Sequence, residues 1–157
     1  MLSSNQIDIA KSAAKALLNA GVPKSKLNWV MGQLAFETGN FTNKGTVNDN
    51  NLSGIKYTKR EGITKGGISS EGDYYAHYNN YNAWAKDYLR ILNTVGSNRP
   101  LEADTIEEFV HSLKQNRYFQ SSEQSYLAGV KNRASTYELL VTIDAIKEFG
   151  KKNYGKI

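Results

Sequence analysis

The chain has 157 residues, which suffices for one domain that buries roughly 68–70% of its unfolded surface. It contains no cysteine and only two histidines, His77 and His111, so disulfides and thiolate metal sites are excluded and a multi-histidine metal site is disfavoured. The formal net charge of +5 favours an anionic polymer as partner without identifying it. We therefore predict a single domain spanning residues 1–157, with no metal and no other cofactor, and we assign neither histidine a role.

The N-terminal residues predict no export signal. The segment MLSSNQIDIAK lacks a basic region followed by an apolar core. No later run is long and apolar enough to span a membrane. We therefore expect a soluble monomer with no membrane partner.

Two helices are predicted before residue 40. Ser3 and Gln6 have the spacing of a capping box for the first helix, which Gly21 ends. Pro23 then turns the chain and suits the entry to a second helix. Short connections on both sides indicate that this second helix is central to the fold.

The second helix carries one acidic residue on its apolar face. Leu27, Val30 and Leu34 form a stripe at helical spacing, and the next position on that stripe is Glu37. Thr38-Gly39 predicts the end of the helix, with Gly39 in the left-handed conformation. Because burial and the helix dipole both disfavour the ionised carboxylate, we expect a raised pKa for Glu37 and a proton donor near neutral pH. The alternative is a buried structural carboxylate bound to a tyrosine or a backbone donor.

Residues 40–80 predict a small β lobe, because glycines interrupt the sequence and helical periodicity disappears. Ser53 to Lys59 and Tyr74 to Tyr78 are the predicted strands. Lys65-Gly66-Gly67 is the predicted turn region between them. The lobe, at about residues 50–80, contains no predicted long helix.

Helical spacing returns after the lobe. Four further helices are predicted, with starts at Asn80 or Asn82, at Thr105, at Ser121 or Ser122, and at Thr136. The predicted fold is therefore mainly α, of the α+β class, with a small β-hairpin lobe inserted after the second helix.

Four short motifs stand in order around the predicted junction of helix and lobe. They are Phe36-Glu37-Thr38-Gly39, Asn50 to Lys56, Tyr78 to Tyr88, and Arg117-Tyr118 through Tyr126. Together they resemble the motifs of the bacterial cell-wall glucosaminidases, the family of autolysins and flagellar rod hydrolases known as glycoside hydrolase family 73. The chain departs from the family pattern at Ser53, where the family has Phe, and at Asn40-Phe41, where it usually has Trp-Gly.

The resemblance implies a lysozyme-like helical domain that cleaves the β-1,4 glycan backbone of peptidoglycan after N-acetylglucosamine, with Glu37 as the general acid. The chemistry agrees with this role, because breaking a glycosidic bond requires protonation of a poor leaving oxygen. A positioned acid contributes about 10²- to 10⁴-fold to such a reaction. No cofactor is implied.

A second carboxylate in the lobe would activate water or stabilise the oxocarbenium ion. The candidates are Glu61, Glu71 and Asp73. The resemblance favours Glu61, which follows shortly after the Gly-Ile-Lys motif, and Glu71 replaces it if the hairpin pairs differently. Tyr118 is expected in the cleft, hydrogen-bonded to the reacting sugar or to the catalytic carboxyl.

Four further residues are expected on the substrate-binding surface, namely Asn51, Tyr57, Tyr78 and Phe119. The aromatic rings among them either stack on sugar rings or belong to the core. Asn51 also suits a turn, since asparagine tolerates positive φ. Its structural role is compatible with shaping the site.

Two other functions remain open. A lytic transglycosylase cleaves the same glycan with a single acidic residue and no water nucleophile. A non-catalytic cell-wall-binding or phage tail module would retain the cleft without activity. Nucleic acid is not an expected partner, because charge alone suggests it. We expect the protein to act on peptidoglycan glycan strands at the bacterial cell wall, reached by release from a phage, as part of a virion, or as a domain of a larger exported protein.

Overall fold

The computed structural model describes the backbone of residues 1–154 and the side chains of residues 1–152. The elements in chain order are α1 (Ser4–Ala20), α2 (Leu27–Glu37), α3 (Lys44–Asp49), β1 (Thr64–Ile68), β2 (Tyr74–His77), α4 (Tyr81–Thr94), α5 (Ile106–Gln115), α6 (Glu123–Tyr137) and α7 (Ile143–Tyr154). Short 3₁₀ turns at Lys24–Lys26 and Pro100–Glu102 precede α2 and α5. The predicted mainly helical fold with a small β hairpin is confirmed, and no helix within residues 1–154 has the length and apolarity to cross a membrane.

The predicted helix starts are confirmed at four of the five capped positions. Ser3 and Gln6 form a capping box at α1, in which the Ser3 N–H donates to the Gln6 side chain at 2.7 Å. Asn80, Thr105 and Ser122 accept backbone N–H groups at the starts of α4, α5 and α6. Local side-chain chemistry therefore fixes where most helices begin.

The predicted helix start at Thr136 is wrong. α6 passes through a π-helical turn at Glu138–Thr142 directly into α7. The Thr136 hydroxyl donates to the Asn132 carbonyl oxygen at 3.2 Å, which is the bond to the preceding turn that threonine makes inside a helix. The hydroxyl thus has a partner within the helix and caps nothing.

The β lobe agrees with the prediction in part: the predicted strand at Tyr74 to Tyr78 is present as β2, but its main partner strand differs. β1 and β2 are antiparallel, with Thr64 opposite His77. The segment Ser53 to Lys59 forms no strand, and it contacts β2 through an isolated bridge between Lys56 and Tyr75. The first strand of the hairpin therefore begins later in the chain than predicted. The lobe also follows the short helix α3, which the glycine-rich sequence did not indicate.

The glycines of Lys65-Gly66-Gly67 lie inside β1, so the predicted turn there is wrong. A Cβ at Gly66 would lie 2.6 Å from the carboxyl carbon of Asp49, and the Gly67 N–H donates to Asp49 Oδ2 at 3.0 Å. The register shifts at this point, which marks a β-bulge. The two glycines leave room for the Asp49 carboxylate to approach the strand. The chain reverses direction at residues 69–73 instead.

The core is formed mainly between the helices, and α2 packs most extensively against α6. Two glycines permit this close crossing. A Cβ at Gly32 of α2 would lie 2.6 Å from the Val130 carbonyl oxygen, and a Cβ at Gly129 of α6 would lie 2.4 Å from the Phe36 ring. The crossing brings the C-terminal end of α2 against α6, where Glu37 lies.

Candidate active site

Glu37 faces a cleft between the helical body and the β lobe. The cleft has a volume of about 900 Å³. Its lining residues include Glu37, Ser53, Lys56, Glu71, Arg90 and Tyr118. These residues come from α2, from the lobe, from α4 and from the segment before α6, so the fold rather than any single motif assembles the site.

The chain turns sharply after Glu37, which ends α2 as predicted. The Thr38 hydroxyl donates to the Leu34 carbonyl oxygen at 2.8 Å and accepts the Phe41 N–H at 2.8 Å. Gly39 has the predicted left-handed conformation, with φ of 58°. Asn40 and Phe41 also have positive φ, a conformation that costs a bulky residue energy. The Phe41 ring is buried, and its packing offsets that cost.

Burial raises the pKa of Glu37, and a hydrogen bond from Tyr126 opposes part of that increase. The net direction is upward, which confirms the expectation from the apolar stripe of α2. A glutamic acid with a raised pKa retains its proton at higher pH than an ordinary glutamate. An upward shift is the direction that a general acid requires.

Tyr126 of α6 is the hydrogen-bond partner of Glu37, and the sequence did not single it out as a site residue. Its hydroxyl donates to Glu37 Oε1 at 2.7 Å. Its ring stacks on Phe119 at a centroid distance of 3.7 Å and meets the Phe36 ring edge-on at 5.2 Å. Tyr126 closes the fourth motif of the sequence, and that position was the signal that could have identified it.

Gln33 and Tyr88 extend this contact into the core. Gln33 stands one helical turn before Glu37 and is fully buried. Its Nε2 donates to the Tyr126 hydroxyl oxygen at 3.3 Å, and its Oε1 accepts the hydroxyl of Tyr88. Gln33 lies four positions before Glu37 on the same face of α2, and this spacing was the sequence signal that could have identified it.

Tyr118 lines the cleft, and its hydroxyl is buried. That hydroxyl lies next to Gln33 and Ser53, yet it forms no hydrogen bond of acceptable geometry with the described residues. Burial raises the pKa of Tyr118, so the group stays protonated. It is a buried hydrogen-bond donor without an acceptor among the described residues.

The three candidate second carboxylates occupy different places. Glu71 lines the same cleft as Glu37. Glu61 lines a separate hollow of about 380 Å³ beside α4. Asp73 accepts a hydrogen bond from Ser69, and it forms an ion pair with Lys56 at 3.0 Å; these contacts lower its pKa. The structure brings Glu71 together with Glu37 in one cleft, and it does not bring Glu61 there.

Asn51 borders the cleft, but both its amide nitrogen and its amide oxygen are hydrogen-bonded to backbone groups of the protein. Its amide nitrogen donates to the Ile55 and Ala76 carbonyl oxygens at 2.9 and 3.0 Å. Its Oδ1 accepts the Ile55 N–H at 3.1 Å. These bonds fold the segment after Asn51 into a compact loop, which explains why no strand forms there. Asn51 shapes the wall of the cleft through the backbone.

The three aromatic residues expected on the substrate-binding surface are not among the residues that line the cleft. The Tyr78 ring is fully buried, and its hydroxyl donates to Asp87. Phe119 stacks on Tyr126 in the core. Tyr57 lies on the lobe, where the Lys65 ammonium is 5.8 Å from its ring. Periodicity alone could not distinguish these positions from cleft positions.

Asp87 of α4 ties the lobe to the helical body. It accepts hydrogen bonds from Arg60 of the lobe, from Tyr78, and from Arg90 at 3.0 Å. Burial alone would raise its pKa, but these donors outweigh burial and hold the pKa at about 2. Among the described side chains, no group of three or more histidine, aspartate or glutamate residues is arranged to bind a metal ion.

Comparison with known proteins agrees with this geometry. No curated protein matches the sequence. The catalytic domain of the autolysin Auto from Listeria monocytogenes shares the fold, with a TM-score of 0.62 and 17% identity over 89% of this chain and 88% of that one. The Glucosaminidase family, described as mannosyl-glycoprotein endo-beta-N-acetylglucosaminidase, matches residues 10–139. The chain therefore belongs to the Glucosaminidase family of glycoside hydrolases.

Proposed function

We propose that the protein hydrolyses the β-1,4 glycan backbone of peptidoglycan after N-acetylglucosamine, with Glu37 as the general acid. The observation that carries this proposal is the Glu37 carboxyl at the wall of the cleft, with a raised pKa and a hydrogen bond from Tyr126 at 2.7 Å. Membership of a glycoside hydrolase family supports the reaction type.

The reaction follows from the groups in the cleft. Glu37 gives its proton to the glycosidic oxygen as the bond from that oxygen to the anomeric carbon breaks. The leaving sugar departs as an alcohol, and positive charge develops on the ring of the N-acetylglucosamine unit. A water molecule then adds to the anomeric carbon and loses a proton to a carboxylate. The product carries a reducing N-acetylglucosamine end.

We propose Glu71 as the carboxylate that takes the proton from water. Its place in the lining of the Glu37 cleft supports this role over Glu61, whose side chain lines another hollow. Asp73 is held by Ser69 and Lys56 and is less free to accept a proton. The observed pairing of the hairpin therefore favours Glu71, the candidate whose role was expected to depend on strand pairing.

We further propose that Tyr118 hydrogen-bonds the reacting sugar. Its hydroxyl is buried at the cleft and has no completed hydrogen bond with the described residues. A buried donor without a partner is unfavourable, and a sugar hydroxyl or acetamido oxygen in the cleft would satisfy it. Asn51 contributes by fixing the wall of the cleft, not by direct contact.

Product analysis tests the proposed reaction. Purified peptidoglycan is digested, and the fragments are separated and weighed by mass spectrometry before and after borohydride reduction. Hydrolysis yields N-acetylglucosamine ends that gain two hydrogen atoms on reduction. Ends that are 1,6-anhydro-muramic acid, which borohydride leaves unchanged, would show a lytic transglycosylase instead. A digest without new ends would show a binding module.

We propose that the protein acts at the bacterial cell wall as a monomer. The cleft is built from residues of one chain, so no second copy is required to complete it. The net charge of +5 favours association with a wall that carries anionic groups. Sedimentation at assay concentrations and wall-binding measurements at increasing salt test these two statements, since screening weakens such attraction.

A further inference from the structure

Four side chains form a continuous hydrogen-bonded chain from the core to Glu37. We call this chain the relay, and it consists of Tyr88, Gln33, Tyr126 and Glu37. Tyr88 donates to Gln33 Oε1, Gln33 Nε2 donates to the Tyr126 oxygen at 3.3 Å, and Tyr126 donates to Glu37 Oε1 at 2.7 Å. The relay links α4, α2 and α6 through side-chain hydrogen bonds, and Tyr126 of α6 is the member that contacts the Glu37 carboxyl.

The buried end of the relay determines its direction. Tyr88 is 0% exposed, and Gln33 is its hydrogen-bond partner among the described residues. A hydroxyl has one proton to donate, and a buried donor without an acceptor is unfavourable. The amide oxygen of Gln33 must therefore face Tyr88. The amide nitrogen then faces Tyr126, whose oxygen accepts from it, and the Tyr126 proton is left to bind Glu37.

This direction decides which oxygen of Glu37 carries the acidic proton. Because Oε1 accepts from Tyr126, the proton of the carboxylic acid belongs on Oε2. The opposite arrangement would place the proton on Oε1, where Glu37 would donate it to Tyr126. Tyr126 would then donate to Gln33, the amide would have to turn over, and the Tyr88 hydroxyl would lose its acceptor.

We propose that Gln33 and Tyr88 are positioning residues that hold the relay in one direction and so keep the proton of Glu37 on Oε2, available to the glycosidic oxygen. The inference rests on the proposed role of Glu37 as the general acid. Neither positioning residue contacts the substrate in this arrangement. Both act through Tyr126. Because the Gln33 amide nitrogen faces the Tyr126 oxygen, the Tyr126 proton is directed to Glu37.

The relay keeps its direction over a wide pH range. Burial raises the pKa of Tyr88 and of Tyr126, so both hydroxyls remain protonated where Glu37 titrates. The other titratable or charged groups around Glu37 are Tyr118 and, along the cleft, Lys44, Lys56, Arg60, Glu71, Tyr75 and Arg90. Tyr118 lies next to Gln33 but forms no hydrogen bond of acceptable geometry with it, and none of the other groups is hydrogen-bonded to a relay side chain within the described residues.

The first test is Tyr88→Phe, which removes one hydroxyl and leaves the buried ring. Gln33 is then free to turn over and accept the Tyr126 proton, so Glu37 loses a donor to its ionised form and its pKa rises. We expect kcat to fall by about tenfold, a fraction of a general-acid contribution of about 10²- to 10⁴-fold, with KM unchanged. We also expect the alkaline limb of the pH–rate profile to move to higher pH.

Tyr137→Phe is the matched control. Tyr137 is also 0% exposed, and its hydroxyl donates to Asn40 at 3.3 Å, outside the relay. This variant removes a buried hydroxyl of the same kind and should keep the wild-type kcat and pH profile. A general loss of packing would affect both variants alike, whereas loss of relay direction affects Tyr88→Phe alone.

A second variant, Gln33→Met, keeps the side-chain length and removes both hydrogen bonds of the amide. It should reproduce the lower kcat and the shifted alkaline limb, and it decides the matter if Tyr88→Phe does not fold. A folded Tyr88→Phe or Gln33→Met enzyme with wild-type kcat and pH profile would overturn the relay. Full activity of Glu37→Gln would instead overturn the proposed general acid, so the two failures are distinguishable.

Discussion

At the scale of single residues, the proposed site depends on the Glu37 carboxyl, whose pKa lies above the ordinary glutamate value. Burial of Glu37 raises its pKa, and the hydrogen bond from Tyr126 limits that rise. The two influences act on opposite protonation states. Burial penalises the carboxylate, whereas the tyrosine proton stabilises it. This balance suits the proposed general acid, because the Tyr126 hydrogen bond would stabilise the carboxylate that remains after proton transfer.

The pH dependence of the wild-type enzyme follows from this balance. A general acid is active while protonated, so kcat/KM should fall as pH rises through the pKa of Glu37. Because that pKa is raised, the alkaline limb should lie above the ordinary glutamate value of about 4.3. Initial rates of reducing-end release across the pH range measure it. A limb at the ordinary value would contradict the burial argument.

Glu71 and Glu61 are a matched pair for a second prediction at this scale. Both are exposed lobe carboxylates, but only Glu71 is among the residues lining the cleft. Glu71→Gln should lower kcat by about 10²-fold or more, because an amide cannot take a proton from water. Glu61→Gln should leave kcat nearly unchanged. The same assay compares both variants, and the reverse order of effects would return the role to Glu61.

The sequence singled out Glu37 as the candidate acid because the residues that suggest this role are close together in the chain. The apolar stripe, the glycine after it and the motif around it lie within a few residues. Tyr126 could not be assigned in this way, because its contact with Glu37 spans 89 positions and depends on how α6 crosses α2. Glu71 and Glu61 could not be separated either, since their placement depends on the hairpin register.

At the scale of elements, the crossing of α2 and α6 places Tyr126 over Glu37. The crossing is close because glycine occupies the contact on each helix, at Gly32 and Gly129. A larger residue at either position would meet backbone or ring atoms at less than 3 Å. The geometry of the acid therefore depends on small residues that have no chemical role.

Gly32→Ala should destabilise the protein and impair the site together. The added Cβ would meet the Val130 carbonyl oxygen at 2.6 Å, so the helices must separate. We expect the free energy of unfolding to fall by about 2 kcal/mol or more, and kcat to fall in the protein that remains folded. Chemical denaturation and assays well below the melting temperature measure the two effects.

Gly150→Ala is the control for this substitution. Gly150 lies in α7, where an added Cβ meets nothing closer than the Lys24 ammonium at 4.0 Å. Alanine favours the helix by about 1 kcal/mol over glycine, so this variant should be slightly stabilised and fully active. If Gly32→Ala behaved in the same way, the close crossing would not be required.

The β lobe shows why glycine is ambiguous in a sequence. Gly66 and Gly67 suggested a turn, and they lie in a strand because the Asp49 carboxylate occupies the space that side chains would need. Asp49 ends α3, and it lies 18 positions before Gly67 in the sequence. Helix caps depend on neighbours along the chain and were mostly predicted. Strand pairing depends on distant residues and was not.

At the scale of the whole molecule, the cleft exists because the lobe is held against the helical body. Asp87 is the main anchor, since it binds Arg60 of the lobe while its own helix packs in the core. Arg60 and Arg90 also line the cleft, so the same contacts that hold the lobe shape the substrate side. Loss of this anchor should affect stability and activity together.

Asp87→Asn should lower the free energy of unfolding near neutral pH by about 2 kcal/mol, because it removes the negative charge that faces two arginines. The folded pKa of Asp87, about 2, is below its unfolded value. Its contribution is therefore complete above the unfolded value of about 3.9 and disappears as pH falls toward 2. Urea unfolding of both proteins across this range should show the two curves converging in acid.

Asp73→Asn serves as the control for the anchor. Asp73 also pairs with a cation, Lys56, but its side chain is 54% exposed. Exposed pairs contribute little to stability, so this variant should lose much less free energy of unfolding than Asp87→Asn near neutral pH. An equal loss in both variants would show that Asp87 acts as an ordinary surface charge.

The central claim is that Glu37 supplies the proton for cleavage of the glycan. The most direct measurement is the release of reducing ends from purified peptidoglycan by wild-type protein and by Glu37→Gln, with Asp73→Asn as a folded control at an exposed carboxylate. We expect the amide variant to bind the walls, to unfold like the wild type, and to release reducing ends at least about 10²-fold more slowly. Release at the wild-type rate by the folded Glu37→Gln protein would contradict the account.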